Sequence, residues 1–140
     1  MKAVLQKGFT NLNRWLIHLS KGRLGSRLAT QSILILHTTG RVTGRPRLTP
    51  VAYFEYEGKY LLVGSNWARE KQADWVLNLR SQAHAQIEVG GRLLDVRARE
   101  AQHGEYARLW EYVTERHAPY LSYQSMVSRR IPIVVLEPLD

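Results

Sequence analysis

The feature that most constrains the fold is a series of six short β-like segments that begins after residue 31. These segments, rich in branched and aromatic residues, span 33–37, 48–56, 60–64, 85–89, 93–99 and 131–136. Two neighbouring pairs are joined by short glycine-containing connections, Glu57-Gly58-Lys59 and Gly90-Gly91, which are typical of β-hairpins. Strands joined by hairpins are antiparallel, so the sequence predicts a mainly antiparallel sheet.

Helical periodicity interrupts the strand pattern in three places. Trp75 and Leu79 share a face of a helix predicted over about 70–81, and apolar residues cluster at helical spacing over about 104–116. A third helix is predicted after Pro119, because proline suits the first turn of a helix. Strands before and after helices predict an α+β fold, a small closed or partly closed β-barrel with helices packed outside it.

The first 30 residues follow a different pattern. Apolar residues recur there at helical spacing, at Leu5, Phe9, Leu12, Leu16 and Leu19. They predict an amphipathic basic helix over 3–20, followed by a connection to about residue 30. We therefore divide the chain into this N-terminal part, residues 1–30, and a barrel domain, residues 31–140. Docking on the barrel and peripheral contact with an anionic membrane are the two alternatives for the helix.

Charge narrows the choice of partners. The formal net charge is +8, and residues 1–50 carry nine lysines and arginines but no acid before Glu55. Such a surface attracts phosphates, polycarboxylates, nucleic acid or acidic lipid. The absence of cysteine excludes disulfides and thiolate chemistry and is compatible with a reducing compartment. We therefore expect a cytoplasmic protein, with peripheral contact at the inner face of the membrane as the alternative.

The densest chemical signal is the loop between the first two predicted strands, Thr38-Thr39-Gly40-Arg41-Val42-Thr43-Gly44-Arg45-Pro46-Arg47. Its glycines let the backbone turn tightly, its hydroxyls can donate hydrogen bonds, and its guanidinium groups match phosphate or carboxylate oxygens. It has neither the Walker nor the Rossmann glycine order. We predict an anion-binding site here. The alternative is an ordinary basic β-turn.

Hydroxyl and aromatic side chains provide two further signals. Tyr120 and Tyr123 lie one helical turn apart, so both hydroxyls can point the same way, although core packing is an equally good explanation. Ser65 and Asn66 follow a predicted strand, where small polar residues often face a ligand; a helix cap is the alternative. No metal or nucleophile motif is present, so we expect no metal and a dissociable cofactor that brings the chemistry.

Taken in order, these segments resemble the deazaflavin-dependent nitroreductase and quinone reductase family. Its members are split β-barrel, FMN-binding-like oxidoreductases that use reduced coenzyme F-420. The resemblance runs from about residue 33 to 138. It rests on 36–44 with Arg47 and Pro50, Ser65, Lys71, 74–75, 78–79, Tyr120, 123–124, Arg129 and 131–138.

The resemblance implies hydride transfer from reduced coenzyme F-420 to an electron-poor acceptor, such as a quinone, an activated alkene or a nitroaromatic compound. The residues implied in coenzyme binding, with those of the anion loop, are Thr38, Thr39, Gly40, Arg41, Thr43, Gly44, Arg47, Pro50, Ser65, Asn66, Lys71 and Trp75. Ser65, Tyr120 and Tyr123 would face the acceptor as catalytic residues. A homodimer is a family expectation.

Three departures from the family pattern stand out. Val42 replaces a usual lysine, Trp67 and Ala68 replace usual glycines, and Ala73 replaces a usual proline. Two rival functions remain open from the sequence. One is a split-barrel reductase that binds FMN, and the other is a non-catalytic basic barrel that binds nucleic acid or lipid. Nucleic acid is disfavoured, because the aromatic cluster lies on predicted helices rather than on a strand face.

Overall fold

The computed structural model describes residues 31–139, which form six strands and three helices. The strands are β1 (Ser32–Thr39), β2 (Pro46–Tyr56), β3 (Lys59–Val63), β4 (His84–Val89), β5 (Arg92–Glu100) and β6 (Ile133–Pro138), and the helices are α1 (Asp74–Ser81), α2 (His103–Arg116) and α3 (Pro119–Met126). No helix in this range is long and apolar enough to cross a membrane. The predicted N-terminal helix and the division at residue 30 lie outside the described residues.

The strands close into a split β-barrel in the order β1-β2-β3-β6-β5-β4, and every neighbouring pair is antiparallel. The predicted fold is therefore confirmed. Both predicted hairpins are present as two-residue turns, with φ of 51° and 77° at Glu57 and Gly58 and of 56° and 76° at Gly90 and Gly91. Two successive positive φ angles match the right-handed twist of the strands that such a turn joins.

Strand alternation creates two apolar cores. One fills the barrel with inward-facing residues, among them Leu34, Leu36, Tyr60, Leu62, Ala85, Ile87, Val89, Val96, Ala98, Val134 and Leu136. The second lies between the outer face of β3 and β6 and the helices α2 and α3, and it includes Leu61, Val63, Leu109, Val113, Tyr120, Ile133 and Val135. The second core fixes α3 beside the ends of β2 and β3, which positions the site described below.

Several boundaries differ from the sequence prediction by one to four residues. β6, for example, spans Ile133–Pro138 rather than 131–136. β2 begins at Pro46 rather than at residue 48, because its pairing with β1 continues to the end of that strand. α1 begins at Asp74 rather than at about residue 70, since Ala73 has an extended backbone with ψ of 143°. The residues before Ala73 are held in a different way, by contacts with the segment that follows α3.

The burial of Glu88 on β4 predicts that the stability of the protein depends on pH. Its side chain is 3% exposed, its carboxylate oxygens make no hydrogen bond with the described residues, and burial raises its pKa. The folded protein therefore binds this proton more tightly than the unfolded chain does. The stability that the protonated carboxyl contributes is complete below the unfolded-state pKa and is lost as the pH rises through the folded-state pKa. We expect Glu88→Gln to raise the melting temperature by a few degrees at pH 7 to 8 and much less near pH 4.

Thermal unfolding followed by circular dichroism at both pH values measures this difference. Glu55→Gln is a matched control, because Glu55 is an exposed glutamate on another strand of the barrel, β2. A melting temperature that rises equally at both pH values would contradict the assigned cause.

Candidate active site

A cavity of about 410 Å³ opens where β2 and the end of β3 meet α1 and α3. We call it the aromatic cavity. Six of the predicted site residues line it, together with Gln31, Thr49, Trp67, Asp74 and His117: they are Pro50, Ser65, Asn66, Trp75, Tyr120 and Tyr123. The tertiary structure therefore brings together residues that are up to 73 positions apart in the sequence.

A second cavity of about 380 Å³ lies against the loop that joins β1 to β2, and we call it the anion-loop cavity. Gly40, Arg41, Thr43 and Arg47 line it, as the sequence predicted for a binding loop. Thr49, Asp74 and Trp75 line both cavities, so the two adjoin each other. One elongated molecule could therefore contact the loop and the aromatic residues at once.

Backbone hydrogen bonds within the loop explain its glycines. The Gly40 N–H donates to the Arg45 carbonyl at 2.8 Å, and the Gly44 N–H donates to the Gly40 carbonyl at 2.8 Å. A Cβ on Gly40 would lie 3.0 Å from Thr43 Oγ1 and 3.2 Å from the Arg45 carbonyl oxygen, so a larger residue would push the loop apart. Gly44 has φ of +73°, a left-handed conformation that glycine adopts without strain.

Arg41 joins the loop to α1. Its backbone N–H and its Nη1 donate to Asn78 Oδ1 at 3.1 and 3.0 Å, and its Nη2 donates to Asp74 Oδ1 at 3.2 Å. Asn78, which is 4% exposed, also donates to Thr38 Oγ1 at 3.4 Å. The side chain of Arg47 makes no hydrogen bond with any described residue. Arg41 and Thr38 therefore fix the loop, whereas Arg47 presents its donors to the anion-loop cavity.

Four predicted coenzyme-binding residues line neither cavity: Thr38, Thr39, Gly44 and Lys71. Thr38 is buried, Thr39 and Lys71 are exposed, and Gly44 follows the turn at residues 41–43. The carbonyl of Lys71 accepts a hydrogen bond from Asn66 Nδ2 at 2.8 Å, so this part of the backbone supports the rim of the aromatic cavity. The roles of these residues in coenzyme binding stay predictions.

Tyr120 is the most deeply buried hydroxyl at the aromatic cavity, with 5% of the residue exposed. Burial raises the pKa of its phenol, so the hydroxyl stays protonated at neutral pH. Its oxygen accepts a hydrogen bond from Gln31 Nε2 at 3.3 Å, which leaves its own O–H free to donate. Its ring packs edge to face on those of His117 and Tyr123, at centroid distances of 4.7 and 6.2 Å. The pocket thus holds a neutral hydrogen-bond donor in a fixed position.

His117 also lines the aromatic cavity. Burial lowers its pKa, so the imidazole is neutral at pH 7. The described residues contain no cluster of histidine, aspartate and glutamate side chains that could hold a metal ion. The site therefore offers neutral donors and aromatic surface.

The segment that follows β3 is conformationally strained. Asn66, Trp67 and Ala68 form a short 3-10 turn with φ of 48°, 57° and 62°, all in the left-handed region. A left-handed conformation costs a residue with a side chain roughly 1 to 2 kcal/mol. We call residues 66–68 the left-handed turn. It supplies Asn66 and Trp67 to the aromatic cavity, so strain is localised at the site.

Arg129 and Glu70 hold this segment in place. The guanidinium of Arg129 donates five hydrogen bonds, of 2.9 to 3.2 Å, to the carbonyls of Gly64, Ser65 and Arg69 and to Gln72 Oε1. The Glu70 carboxylate accepts from the backbone N–H and the hydroxyl of Ser128 at 2.9 to 3.0 Å, which lowers the pKa of Glu70. These contacts fasten the left-handed turn to the segment between α3 and β6.

Replacing Arg129 with lysine tests this arrangement. Lysine keeps the charge but cannot present the planar set of donors, so several carbonyls would lose their partners. We expect Arg129→Lys to lower the free energy of unfolding by about 2 to 4 kcal/mol. Urea unfolding measures the change. Arg130→Lys is the control, because Arg130 makes a single side-chain hydrogen bond, at 3.4 Å, to a described residue. Equal stability of the two variants would contradict the prediction.

Sequence reasoning assigned no role to Asn78, Gln31 or Arg129. Asp74 and Asn78 lie four residues apart on α1, and this spacing could have indicated that both face the loop. Arg129 is among the residues that carry the family resemblance, but no local spacing indicated its partners, which precede it by 57 to 65 positions. These contacts form only because the tertiary structure brings the segment before β6 next to the end of β3.

The fold is an antiparallel barrel in which a cationic loop lies beside an aromatic cavity. This combination is suited to an anionic, aromatic ligand. Comparison with known proteins identifies its family. The family model of F-420H(2)-dependent quinone reductase matches residues 10–138. An F-420H(2)-dependent quinone reductase of Mycobacterium tuberculosis is 39% identical over 121 residues, which cover 84% of this chain and 81% of the relative. The chain belongs to the F-420H(2)-dependent quinone reductase family.

Two solved structures support the same fold. The structure of an F-420H(2) dependent reductase is 31% identical, has a TM-score of 0.68, and covers 75% of this chain and 93% of that chain. A second structure, described as a domain-swapped dimer, is also 31% identical, with a TM-score of 0.69 and coverage of 75% and 79%. The resemblance found in the sequence is therefore confirmed.

The residues present fit coenzyme F-420. The anion-loop cavity provides Arg47 and Thr43 as donors for phosphate and carboxylate oxygens. Pro50 and Trp75 supply flat apolar surface to the aromatic cavity, which has a volume typical of small-molecule sites. Because Trp75 lines both cavities, a ring and its anionic tail could lie across it. The donor set and the shape of the cleft thus match the cofactor of the family.

Proposed function

We propose that this protein transfers a hydride from reduced coenzyme F-420 to a quinone. The observation that carries the proposal is the contact between the anion-loop cavity and the aromatic cavity at Thr49, Asp74 and Trp75, in a chain that belongs to this reductase family. Reduced coenzyme F-420, when bound, supplies the hydride. The residues of the chain have to bind the two reactants, align them and stabilise the charge that develops.

The anion loop holds the tail of the coenzyme. Arg47 and Thr43 bind its phosphate and carboxylate oxygens, and Arg41 maintains the shape of the loop through Asp74 and Asn78. Pro50 and Trp75 contact the ring, and Lys71 lies near the rim. This arrangement matches the cationic loop to the acidic part of the ligand.

The hydroxyl groups of the aromatic cavity act on the acceptor. Reduction of a quinone by hydride leaves negative charge on a carbonyl oxygen, and a fixed donor beside that oxygen stabilises the charge. Tyr120 is suited to this role because its raised pKa keeps the proton on the phenol. Tyr123 and Ser65 line the same cavity and are further donors. Holding the acceptor close to the ring supplies the remainder of the catalysis through proximity.

Titration of the purified full chain with coenzyme F-420 and, separately, with FMN tests the proposal. We expect binding of coenzyme F-420, followed by oxidation of its reduced form when a quinone is added, as read from the absorption spectrum. Tight binding of FMN without binding of coenzyme F-420 would contradict it.

We infer that the protein assembles as a homodimer. One solved relative is a domain-swapped dimer, which supports a homodimer for this protein. Light scattering on a sizing column measures the mass directly. Membrane contact was predicted for the N-terminal helix, which lies outside the described residues, so it stays a prediction.

A further inference from the structure

Trp67 is placed where a tryptophan has no evident structural role. Its side chain lines the aromatic cavity, yet the residue is 76% exposed. Among residues 31–139 no aromatic ring pairs with it, and its indole N–H donates to none of these residues. Large apolar side chains are normally buried, because leaving them in water forfeits the hydrophobic contribution. The position of Trp67 therefore does not serve the core of the described domain.

The backbone conformation at Trp67 also indicates a role other than core packing. Its φ of 57° lies in the left-handed region, which glycine adopts without steric cost and in which a tryptophan is strained. Neighbours Asn66 and Ala68 share this conformation, and Arg129 holds the ends of the segment through the carbonyls of Ser65 and Arg69. A strained, exposed aromatic residue that is held at a cavity is a reason to look for a ligand.

The surroundings of the indole indicate what kind of ligand it would contact. The left-handed turn packs against α3, which carries Tyr120 and Tyr123 into the same cavity. Trp75 lines the adjoining part and is shared with the anion-loop cavity, whereas Trp67 lines the aromatic cavity alone. Trp67 is thus on the side of the site that carries the proposed acceptor donors. Aromatic rings bind flat rings by offset stacking, which strengthens with the area of overlap.

We propose that Trp67 is a specificity-determining residue that binds the electron acceptor by stacking on its ring, and that it favours fused-ring quinones over single-ring quinones. This inference rests on the proposed quinone reduction and deepens it, since it names the acceptor class. A naphthoquinone overlaps the two-ring indole more fully than a benzoquinone does. The strained backbone and its hydrogen bonds to Arg129 present the indole to the cavity before the acceptor arrives.

The test compares Trp67→Gly, Trp67→Ala and Trp67→Phe in the full chain. Glycine suits the left-handed backbone, so this variant should fold at least as stably as the wild type, which thermal unfolding checks. Phenylalanine keeps a flat ring. Leu121→Ala is a matched control, because Leu121 is another exposed apolar residue, on α3, and lines neither cavity. The acceptors are menadione, a naphthoquinone, and p-benzoquinone.

With saturating reduced coenzyme F-420, we expect the glycine and alanine variants to raise the KM for menadione by about fivefold to tenfold. The KM for p-benzoquinone should change by less than about twofold in every variant, and both KM values should do so in Leu121→Ala. Trp67→Phe should raise the KM for menadione less than Trp67→Gly does, because a single ring overlaps a naphthoquinone less than the indole does. The dissociation constant of the coenzyme should stay the same. An equal loss for both quinones, an unchanged KM for menadione, or weakened coenzyme binding would each overturn the role assigned to Trp67.

Calorimetric titration of menadione into the coenzyme-free chain separates this inference from the proposed function. If the wild type oxidises no reduced coenzyme with either quinone, the proposed function fails. Weaker menadione binding by Trp67→Gly than by the wild type and Trp67→Phe would still support an aromatic subsite at Trp67. Equal heats in all variants, or no binding by the wild type, would overturn it.

Discussion

Replacing Arg47 with alanine is expected to raise the dissociation constant of coenzyme F-420 by about tenfold to a hundredfold. The Arg47 side chain lines the anion-loop cavity, and its donors have no partner among the described residues. Each charged hydrogen bond to a phosphate or carboxylate oxygen contributes roughly 1.5 to 3 kcal/mol. The affinity of the wild type should also fall as salt concentration rises, because exposed charges are screened. Spectroscopic titration at two ionic strengths measures both effects.

Arg45→Ala is the matched control for this experiment. Arg45 belongs to the same loop and carries the same charge, but it does not line the anion-loop cavity. Its replacement should change affinity only through long-range electrostatics. Arg41→Ala should weaken binding for a different reason, since it detaches the loop from Asp74 and Asn78. If Arg47→Ala and Arg45→Ala bind the coenzyme equally well, the loop does not hold the tail in the way proposed.

Tyr120→Phe is expected to lower kcat for quinone reduction by about tenfold to a thousandfold, the range seen when one donor to a developing oxyanion is removed. The substitution keeps the ring, so the edge-to-face contacts with His117 and Tyr123 remain. Affinity for the coenzyme should change little, because the hydrogen bond that Tyr120 donates forms only as charge develops on the acceptor, and the bond that it accepts comes from Gln31 rather than from the coenzyme. Steady-state kinetics and coenzyme titration together measure this difference.

Tyr112→Phe controls for the loss of a phenol elsewhere. The Tyr112 hydroxyl donates to the Glu55 carbonyl at 2.8 Å and lines neither part of the proposed site. Tyr123→Phe and Ser65→Ala identify whether another donor shares the role. Wild-type kcat in all three cavity variants would mean that these residues only shape the pocket. Catalysis would then depend on alignment alone, with the proton supplied by water.

Much of the fold follows from local sequence patterns. The six strand segments, the hairpins at Glu57-Gly58 and Gly90-Gly91, and the helix after Pro119 all appear where local periodicity and turn chemistry predicted them. Such features depend on interactions between residues close in the chain, so a single sequence reveals them. The anion loop was recognisable for the same reason, because its glycines and arginines lie within ten residues.

The composition of the aromatic cavity could be anticipated only in part. Ser65, Tyr120 and Tyr123 were identified through local spacing and family resemblance, and the structure brings them to one cavity. The sequence alone did not show that Asn78 would hold Arg41, or that Arg129 would fasten the left-handed turn. These contacts join segments far apart in the chain, and no local pattern encodes which of many polar side chains will meet.

The sequence by itself determined the order of the elements, the antiparallel hairpins and the basic loop, because each depends on alternation, turn residues and charge within a short stretch. Only the tertiary structure decided which cations are available to a ligand. Arg41 and Arg47 look alike in the sequence and both line the anion-loop cavity. The guanidinium of Arg41 is engaged by Asp74 and Asn78, whereas that of Arg47 has no hydrogen-bond partner among the described residues. The packing of α1 on β1 and β5 makes that distinction, because it brings Asp74 and Asn78 within hydrogen-bond distance of Arg41 and not of Arg47.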